Sequence, residues 1–148
     1  MPGLKHAGLL AWLHMVKVHN KMQHHAADHL ECFDRLTPAQ FDVLAQVKIA
    51  PGINQQNLSD RLLVTKGNTC GLLDRMEMLG LVERRPDPND RRSKQLYLTG
   101  KGEALAETVV PPQEDFLQEH MSALTDEEQH ALLSLLRRLD RSMEHHKH

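Results

Sequence analysis

Cysteine is scarce in this 148-residue chain: Cys32 and Cys70 are the only two, too few for a disulfide framework. Long apolar runs are missing as well. None approaches the roughly 20 residues that a membrane-spanning helix requires, so no membrane partner is expected. The first residues, Met1-Pro2-Gly3-Leu4-Lys5-His6, lack the apolar core and cleavage signal of a secretory leader, and the expected location is the cytoplasm. Absent too are a phosphate-cradling glycine loop, a Gly-x-Ser-x-Gly nucleophile elbow, a zinc-protease helix and a carboxylate pair in a cleft context. The chain is expected to be no enzyme and to need no cofactor.

What is present is a folded, one-domain composition, with 40% hydrophobic and 26% charged residues, enough apolar content to build an ordinary core. The net charge of −2 argues against a polyanionic partner until the chain is divided. Residues 51–101 hold nine Lys/Arg against six Asp/Glu, a net of +3, and the rest holds nine against fourteen, a net of −5. A basic middle inside an acidic protein is a local electrostatic footprint.

Along the chain, residues 4–33 run without proline, and Leu9, Leu10, Leu13, Val16 and Val18 give a ragged helical period. Thr37, Pro38 and Gln40 form a capping box with proline at the first helical position. Phe41, Leu44, Ala45 and Val47 then face inward before Pro51-Gly52 ends the helix. Asn54 caps a third helix, Gln55 to Leu63, with Leu58, Leu62 and Leu63 inward. Thr65 or Lys66 opens a fourth, with Leu72, Leu73, Met76 and Leu79 inward and Gly80 as a left-handed stop. Thr99 caps a further helix through Ala104, Leu105, Thr108 and Val109, which Pro111-Pro112 interrupts or kinks before it resumes through Phe116, Leu117 and Met121. Thr125-Asp126-Glu127-Glu128 is a second capping box, ahead of a stripe of Leu132, Leu135, Leu136, Leu139 and Met143.

Between the fourth and fifth helices lie two short strands, Leu81–Arg85 and Gln95–Leu98, around a loop too charged and proline-rich to be buried. Six basic residues fall from Arg84 to Lys101: these two with Arg85, Arg91, Arg92 and Lys94. A helix feeding a basic-tipped hairpin is the outline of a winged helix-turn-helix. The expected fold is mainly α, in the order α-α-α-α-β-β-α-α. It is one domain over 1–148, with a DNA-binding lobe at 37–102 and N- and C-terminal dimerisation helices at 4–33 and 103–145. The terminal helices carry more apolar stripe than that lobe can cover, which exposes it to water in a monomer. Burying about ten Leu, Met and Phe side chains, at roughly 1.5–3 kcal/mol each, offsets the ordering cost of association. A homodimer is therefore expected.

In a helix-turn-helix the second helix enters the major groove and its N-terminal residues meet base edges. Here those are Thr65, Lys66, Gly67, Asn68 and Thr69. Lys66 suits guanine acceptors or a phosphate, Asn68 suits bidentate pairing with adenine, and Gly67 lets backbone approach closely. Alone they read equally well as the polar first turn of any surface helix. The basic wing shifts the balance toward double-stranded DNA.

Three blocks carry a closer resemblance: Leu36-Thr37-Pro38-Ala39-Gln40-Phe41-Asp42-Val43-Leu44; Leu72-Leu73-Asp74-Arg75-Met76-Glu77 with Gly80-Leu81-Val82-Glu83-Arg84; and Asp87-Pro88-Asn89-Asp90-Arg91-Arg92 followed by Leu96 and Leu98-Thr99-Gly100-Lys101-Gly102. On these residues the chain resembles the MarR (multiple antibiotic resistance regulator) family of bacterial transcription factors. The resemblance implies a homodimer that binds a pseudo-palindromic operator as a repressor and leaves it when a small-molecule effector binds. It also implies that one of Arg91 and Arg92 enters a minor groove, where the potential is most negative, while Asp90 helps hold the loop. Asp74 is expected to pair with a wing or neighbouring arginine. The DNA-contacting set is completed by Gln55, Arg75 and Lys94. Gly71 stands where family members often carry a larger or basic residue, which shifts the expected affinity toward the wing and the phosphates.

His25, His29 and Cys32 share one helical face and are competent zinc ligands, but the helix offers no fourth ligand, and an exposed polar face is the commoner meaning. Acidic neighbours Glu31 and Asp34 disfavour a thiolate at Cys32, whereas oxidation of Cys70 on the fourth helix would disturb DNA contact. Trp12, Met15 and His19 are the effector candidates by family analogy, with core packing the plainer role for Trp12. The alternatives are thus a metal- or redox-responsive regulator on the same fold, or a helical adaptor that binds no DNA. The wing arginines argue against the adaptor.

Overall fold

Thr37, Pro38 and Gln40 start a helix in the way their spacing predicts: the Thr37 hydroxyl accepts from the Gln40 amide at 3.1 Å, and the Gln40 side chain accepts from the Thr37 amide at 3.1 Å. This helix, α2 (Pro38–Ile49), is the third-dimension anchor of the fold, because Val43, Leu44 and Val47 on it are fully buried. The computed structural model describes residues 6–31, 36–62 and 68–144. Its elements are α1 (Ala7–Leu30), α2, α3 (Gln55–Arg61), α4 (Thr69–Met78), β1 (Val82–Asp87), β2 (Asp90–Leu98), α5 (Gly100–Met121) and α6 (Asp126–Glu144). The expected order is therefore observed. The chain forms two compact units, Met1–Gln113 and Glu114–His148.

In the first unit, Leu58 and Leu62 from α3 and its end, Leu73 and Met76 from α4, and Val82, Leu96 and Leu98 from the hairpin close over α2. The hairpin is antiparallel, with Val82 opposite Leu98 and Arg84 opposite Leu96, and an irregularity between Pro86 and Asp87. Strand alternation puts Val82, Leu96 and Leu98 into this core and Glu83, Arg85, Gln95 and Tyr97 on the other face. A short third segment joins β2: the Gly52 amide donates to the Leu96 carbonyl at 2.8 Å, the Leu96 amide donates to the Ile53 carbonyl at 2.9 Å, and Asn54 pairs with Gln95. Gly52 has φ +86°, a backbone conformation that a side chain disfavours.

α4 ends as its glycine predicts. Gly80 has φ +74°, its amide bonds to the Glu77 carbonyl and the Leu81 amide to the Met76 carbonyl, both at 3.0 Å, the two bonds of a Schellman motif. Thr99 then caps α5: its hydroxyl accepts from the Gly102 amide at 3.0 Å and donates to the Gly80 carbonyl.

Several expectations need correction. α4 does not open at Thr65 or Lys66: its first residue is Thr69 and its cap is Asn68, at φ −134° and ψ 58°, outside helical space. Residues 63–67, and with them Leu63, Thr65, Lys66 and Gly67, lie outside the described residues. Leu79, expected inward, is 40% exposed, because the helix has ended and the chain is turning into Gly80. Both strands extend further toward the tip than expected, since Pro86 pairs with Lys94 and Asp87 with Asp90. Pro111 and Pro112 do not interrupt α5. Gln113, next in sequence and fully buried, donates to the Ala26 carbonyl at 3.1 Å and accepts from His29 Nδ1, tying α5 to α1 where the prolines supply no amide hydrogen.

In the second unit, Thr125 and Glu128 form the second capping box as expected, with bonds of 2.9 and 3.2 Å. No residue of α6 is buried, and Leu133, Leu135, Leu136, Leu139 and Met143 are 38–57% exposed. α1 buries only Leu30.

The tightest packing constraint falls on Gly102. A Cβ there would stand 2.0 Å from the Leu81 carbonyl oxygen, a backbone atom that cannot step aside. Gly102→Ala is expected to destabilise the fold by about 1–3 kcal/mol, as overpacking does, measured as a lower urea midpoint at unchanged slope. An unchanged midpoint would contradict this packing.

Candidate nucleic-acid interface

Above the core that the wing and α4 share, one arginine joins them by hydrogen bonds. Arg84, on β1, donates from Nη1 to Asp74 Oδ1 at 2.7 Å and from Nη2 to the Cys70 carbonyl at 3.3 Å, both on α4. This is the arginine pairing expected for Asp74. Arg84 Nε is buried without a hydrogen-bond partner, so the guanidinium is desolvated on the wing side and engaged only toward the helix.

α3 and α4 meet through small polar contacts. Ser59 Oγ lies 3.1 Å from Thr69 Oγ1, and Gln55 Nε2 donates to Cys70 Sγ at 2.7 Å. Asn54 caps α3 by accepting from the Asn57 amide at 2.7 Å. Asn68 caps α4 by accepting from the Gly71 amide at 3.0 Å. A Cβ on residue 71 would approach the Asn68 amide group to 2.6–2.9 Å, so the absence of a side chain at Gly71 leaves room for this cap.

At the far end of the hairpin, Asp87 accepts from the Asn89 amide at 2.9 Å and Asp90 from the Arg92 amide at 3.0 Å. Two carboxylates thus tie down the turn, and Asp90 has the loop-holding place that the sequence suggested. Arg91, Arg92 and Lys94 are exposed.

These elements enclose a groove of about 720 Å³ between α3, the start of α4 and the wing. Of the residues singled out from sequence, it gathers Gln55, Asn68, Thr69, Asp90, Arg92 and Lys94. Thr69 is buried and turned toward Ser59. Arg91 and Arg75 are exposed outside the lining. The groove also takes in Asn54, marked in the sequence as the α3 cap, and Gln56, Ser59 and Ser93, which the sequence does not single out, since polar residues away from the core carry no periodic signal. Cys70 is exposed in it as a free thiol. Polar donors and acceptors at the start of a helix, flanked by cations on a projecting hairpin, suit base edges and phosphates in adjoining grooves.

The comparisons with known proteins agree with this geometry. Residues 36–93 match the model of the MarR family. The chain is 33% identical to an uncharacterised HTH-type transcriptional regulator of Bacillus cereus, over 95% of this chain and 90% of that protein. It is 32% identical to the transcriptional regulator HosA of Escherichia coli, over 79% of this chain and 87% of that protein. Among solved structures, a mutant of Escherichia coli MarR complexed with operator DNA is 32% identical, with a TM-score of 0.73 over 90% of this chain and 94% of that one.

The chain belongs to the MarR family.

It is thus a DNA-binding transcription regulator of the winged helix-turn-helix type, and its family is one of regulators and not of enzymes. No helix among the described residues is long and apolar enough to cross a membrane. The effector candidates of this MarR-family chain lie on α1: Trp12 is 55% exposed, Met15 is half-buried, and His19 is exposed with Gln23 bonded to it at 3.2 Å. His25 is exposed and His29 bonds Gln113. Cys32 lies outside the described residues, and among the described ones no group of three or more His, Cys, Asp or Glu side chains is placed to hold a metal ion.

The Arg84–Asp74 bridge gives an asymmetric expectation. Asp74→Ala should destabilise more than Arg84→Met, because it leaves a half-buried guanidinium without its carboxylate. A double-mutant cycle in urea should return a coupling of about 0.5–1 kcal/mol, given that Asp74 is largely exposed. A cycle that closes at zero would show that the bridge does not couple wing and helix.

Proposed function

We propose that this regulator is a homodimeric repressor, acting in the cytoplasm on an imperfect inverted repeat in double-stranded DNA and released by a small organic effector. The observation that carries the DNA reading is the groove between α3, α4 and the wing, where Gln55, Asn68, Arg92 and Lys94 converge. In this reading residues 37–102 form the DNA-binding lobe, and 4–33 and 103–145 the dimerisation helices. The dimer is supported by the apolar side chains that α1 and α6 leave exposed, among them Leu9, Val16, Leu135 and Met143, which water tolerates poorly as continuous stripes. Two-fold symmetry then brings two copies of α4 into successive major grooves, about 10–10.5 base pairs apart. One of Arg91 and Arg92 reaches a flanking minor groove, where narrow A·T-rich segments concentrate negative potential. Thr65, Lys66, Gly67, Thr69 and Arg75 complete the proposed contacts. Trp12, Met15 and His19 are the proposed effector residues.

The test is nuclease protection of the intergenic DNA upstream of the protein's own gene, with wild type and Arg91→Ala. Wild type should protect a two-fold symmetric stretch. Arg91→Ala should weaken binding by about 1–3 kcal/mol and reduce the salt slope by about one counterion, with no change in folding because the side chain is exposed near the hairpin tip. Protection without symmetry, or a salt slope unchanged by the substitution, would contradict the reading.

A further inference from the structure

We propose that Tyr97 is a positioning residue for DNA binding, which seats the wing on the turn that leads into α3 and withdraws Arg85 from the DNA-facing cations. The inference rests on the reading of the chain as a DNA-binding regulator. Tyr97 is half-buried on the face of β2 opposite the core. Its hydroxyl end fills the space over Gly52: a Cβ built there would lie 3.0 Å from the Tyr97 oxygen and 3.4 Å from Cζ. The hydroxyl donates to Gln95 Oε1 at 3.3 Å. The ring face takes the Arg85 guanidinium, whose carbon stands 4.1 Å from the ring centroid, and Arg85 Nε donates to Glu83 Oε1 at 2.9 Å. Arg85, a member of the basic cluster in the sequence, is thus paired with a carboxylate and stacked on an aromatic ring.

The location gives these contacts leverage. Gly52 is bonded to β2 and lies just ahead of Asn54, the cap of α3. Toward the tip, Arg92 is five residues from Tyr97, roughly 17 Å at about 3.3 Å per residue. A small change of hairpin angle at Tyr97 therefore becomes a displacement of the wing cations by ångströms, enough to take a side chain out of hydrogen-bond range. The side chain touches no base or phosphate in this scheme. It acts through the wing.

The experiment measures affinity for two duplexes: the protected upstream segment, and the same segment trimmed of the flanks that the wings reach. Tyr97→Leu is expected to weaken binding to the full duplex by about tenfold, the worth of one well-placed contact, and to the trimmed duplex by less than about twofold on the same argument. Tyr97→Phe, which keeps the ring, should match wild type on both. Gly52→Ala should reproduce the Tyr97→Leu pattern, and adding Tyr97→Phe should restore part of the loss, because the atom nearest the new methyl is removed. Backbone strain at Gly52 alone would not be relieved that way. Equal losses on both duplexes, or no rescue of Gly52→Ala by Tyr97→Phe, would overturn the proposal. If wild type protects no upstream DNA, the regulator reading itself fails and takes this inference with it.

Discussion

The amide and carbonyl of Leu96 bond to the Ile53 carbonyl and the Gly52 amide, at 2.9 and 2.8 Å, while its side chain is fully buried. Directly across the hairpin from Leu96 stands Arg84, which reaches α4 through Asp74 and the Cys70 carbonyl. One rung of the wing is therefore fixed on both sides, to the α2–α3 turn by backbone bonds and to α4 by a guanidinium. Buried backbone groups are costly to leave unpaired, so the rung resists sliding, and a one-residue slip would carry Leu96 and Leu98 out of the core. The separation between the wing cations and the start of α4 follows from that register, and DNA grooves impose a matching separation on whatever binds them.

Charge is distributed by the same logic. Of the six basic residues from Arg84 to Lys101, three have partners inside the protein: Arg84 with Asp74, Arg85 with Glu83, and Lys101 with the Leu79 carbonyl at 3.0 Å. Arg91, Arg92 and Lys94 are the remainder, exposed as Arg85 and Lys101 also are, on the stretch where Asp87 and Asp90 hold the turn. Two of the six, Arg84 and Arg85, are paired with carboxylates, so part of the local excess of positive charge is balanced inside the protein. Side chains near the helices build the fold, and those near the tip face outward.

Much of this was legible in the residues. Capping boxes at Thr37 and Thr125, the Asn54 cap and the Gly80 stop are local, so their partners lie within a few positions and spacing alone reveals them. The wing was legible because its turn chemistry is equally local. The start of α4 was not, because Asn68 competes with Thr65 as a cap, and a glycine three residues on, with no side chain to crowd the asparagine amide, leaves Asn68 room to win. Pro111 and Pro112 lie inside a continuous α5, and the tie of the next residue, Gln113, to the Ala26 carbonyl of α1 joins positions 87 residues apart, which no local pattern reveals. The contact between Tyr97 and Gly52 is likewise tertiary, and Cys70 meets Gln55 across two helices, so neither leaves a periodic trace. The division between cations bonded within the protein and those at the tip needed the register of the hairpin.

The central physical claim is that wing, α3 and α4 move as one unit, so that DNA meets a preset geometry and not a loose hairpin. Site-resolved hydrogen exchange in the native state tests it most directly through the Gly52 and Leu96 amides, which bond across the junction. The account predicts that both exchange as slowly as core amides of α2 such as Val47, opening only with global unfolding. Exchange of Gly52 and Leu96 as fast as the tip amides of Asn89 and Arg92 would show that the wing swings independently of the helices, and would contradict the account.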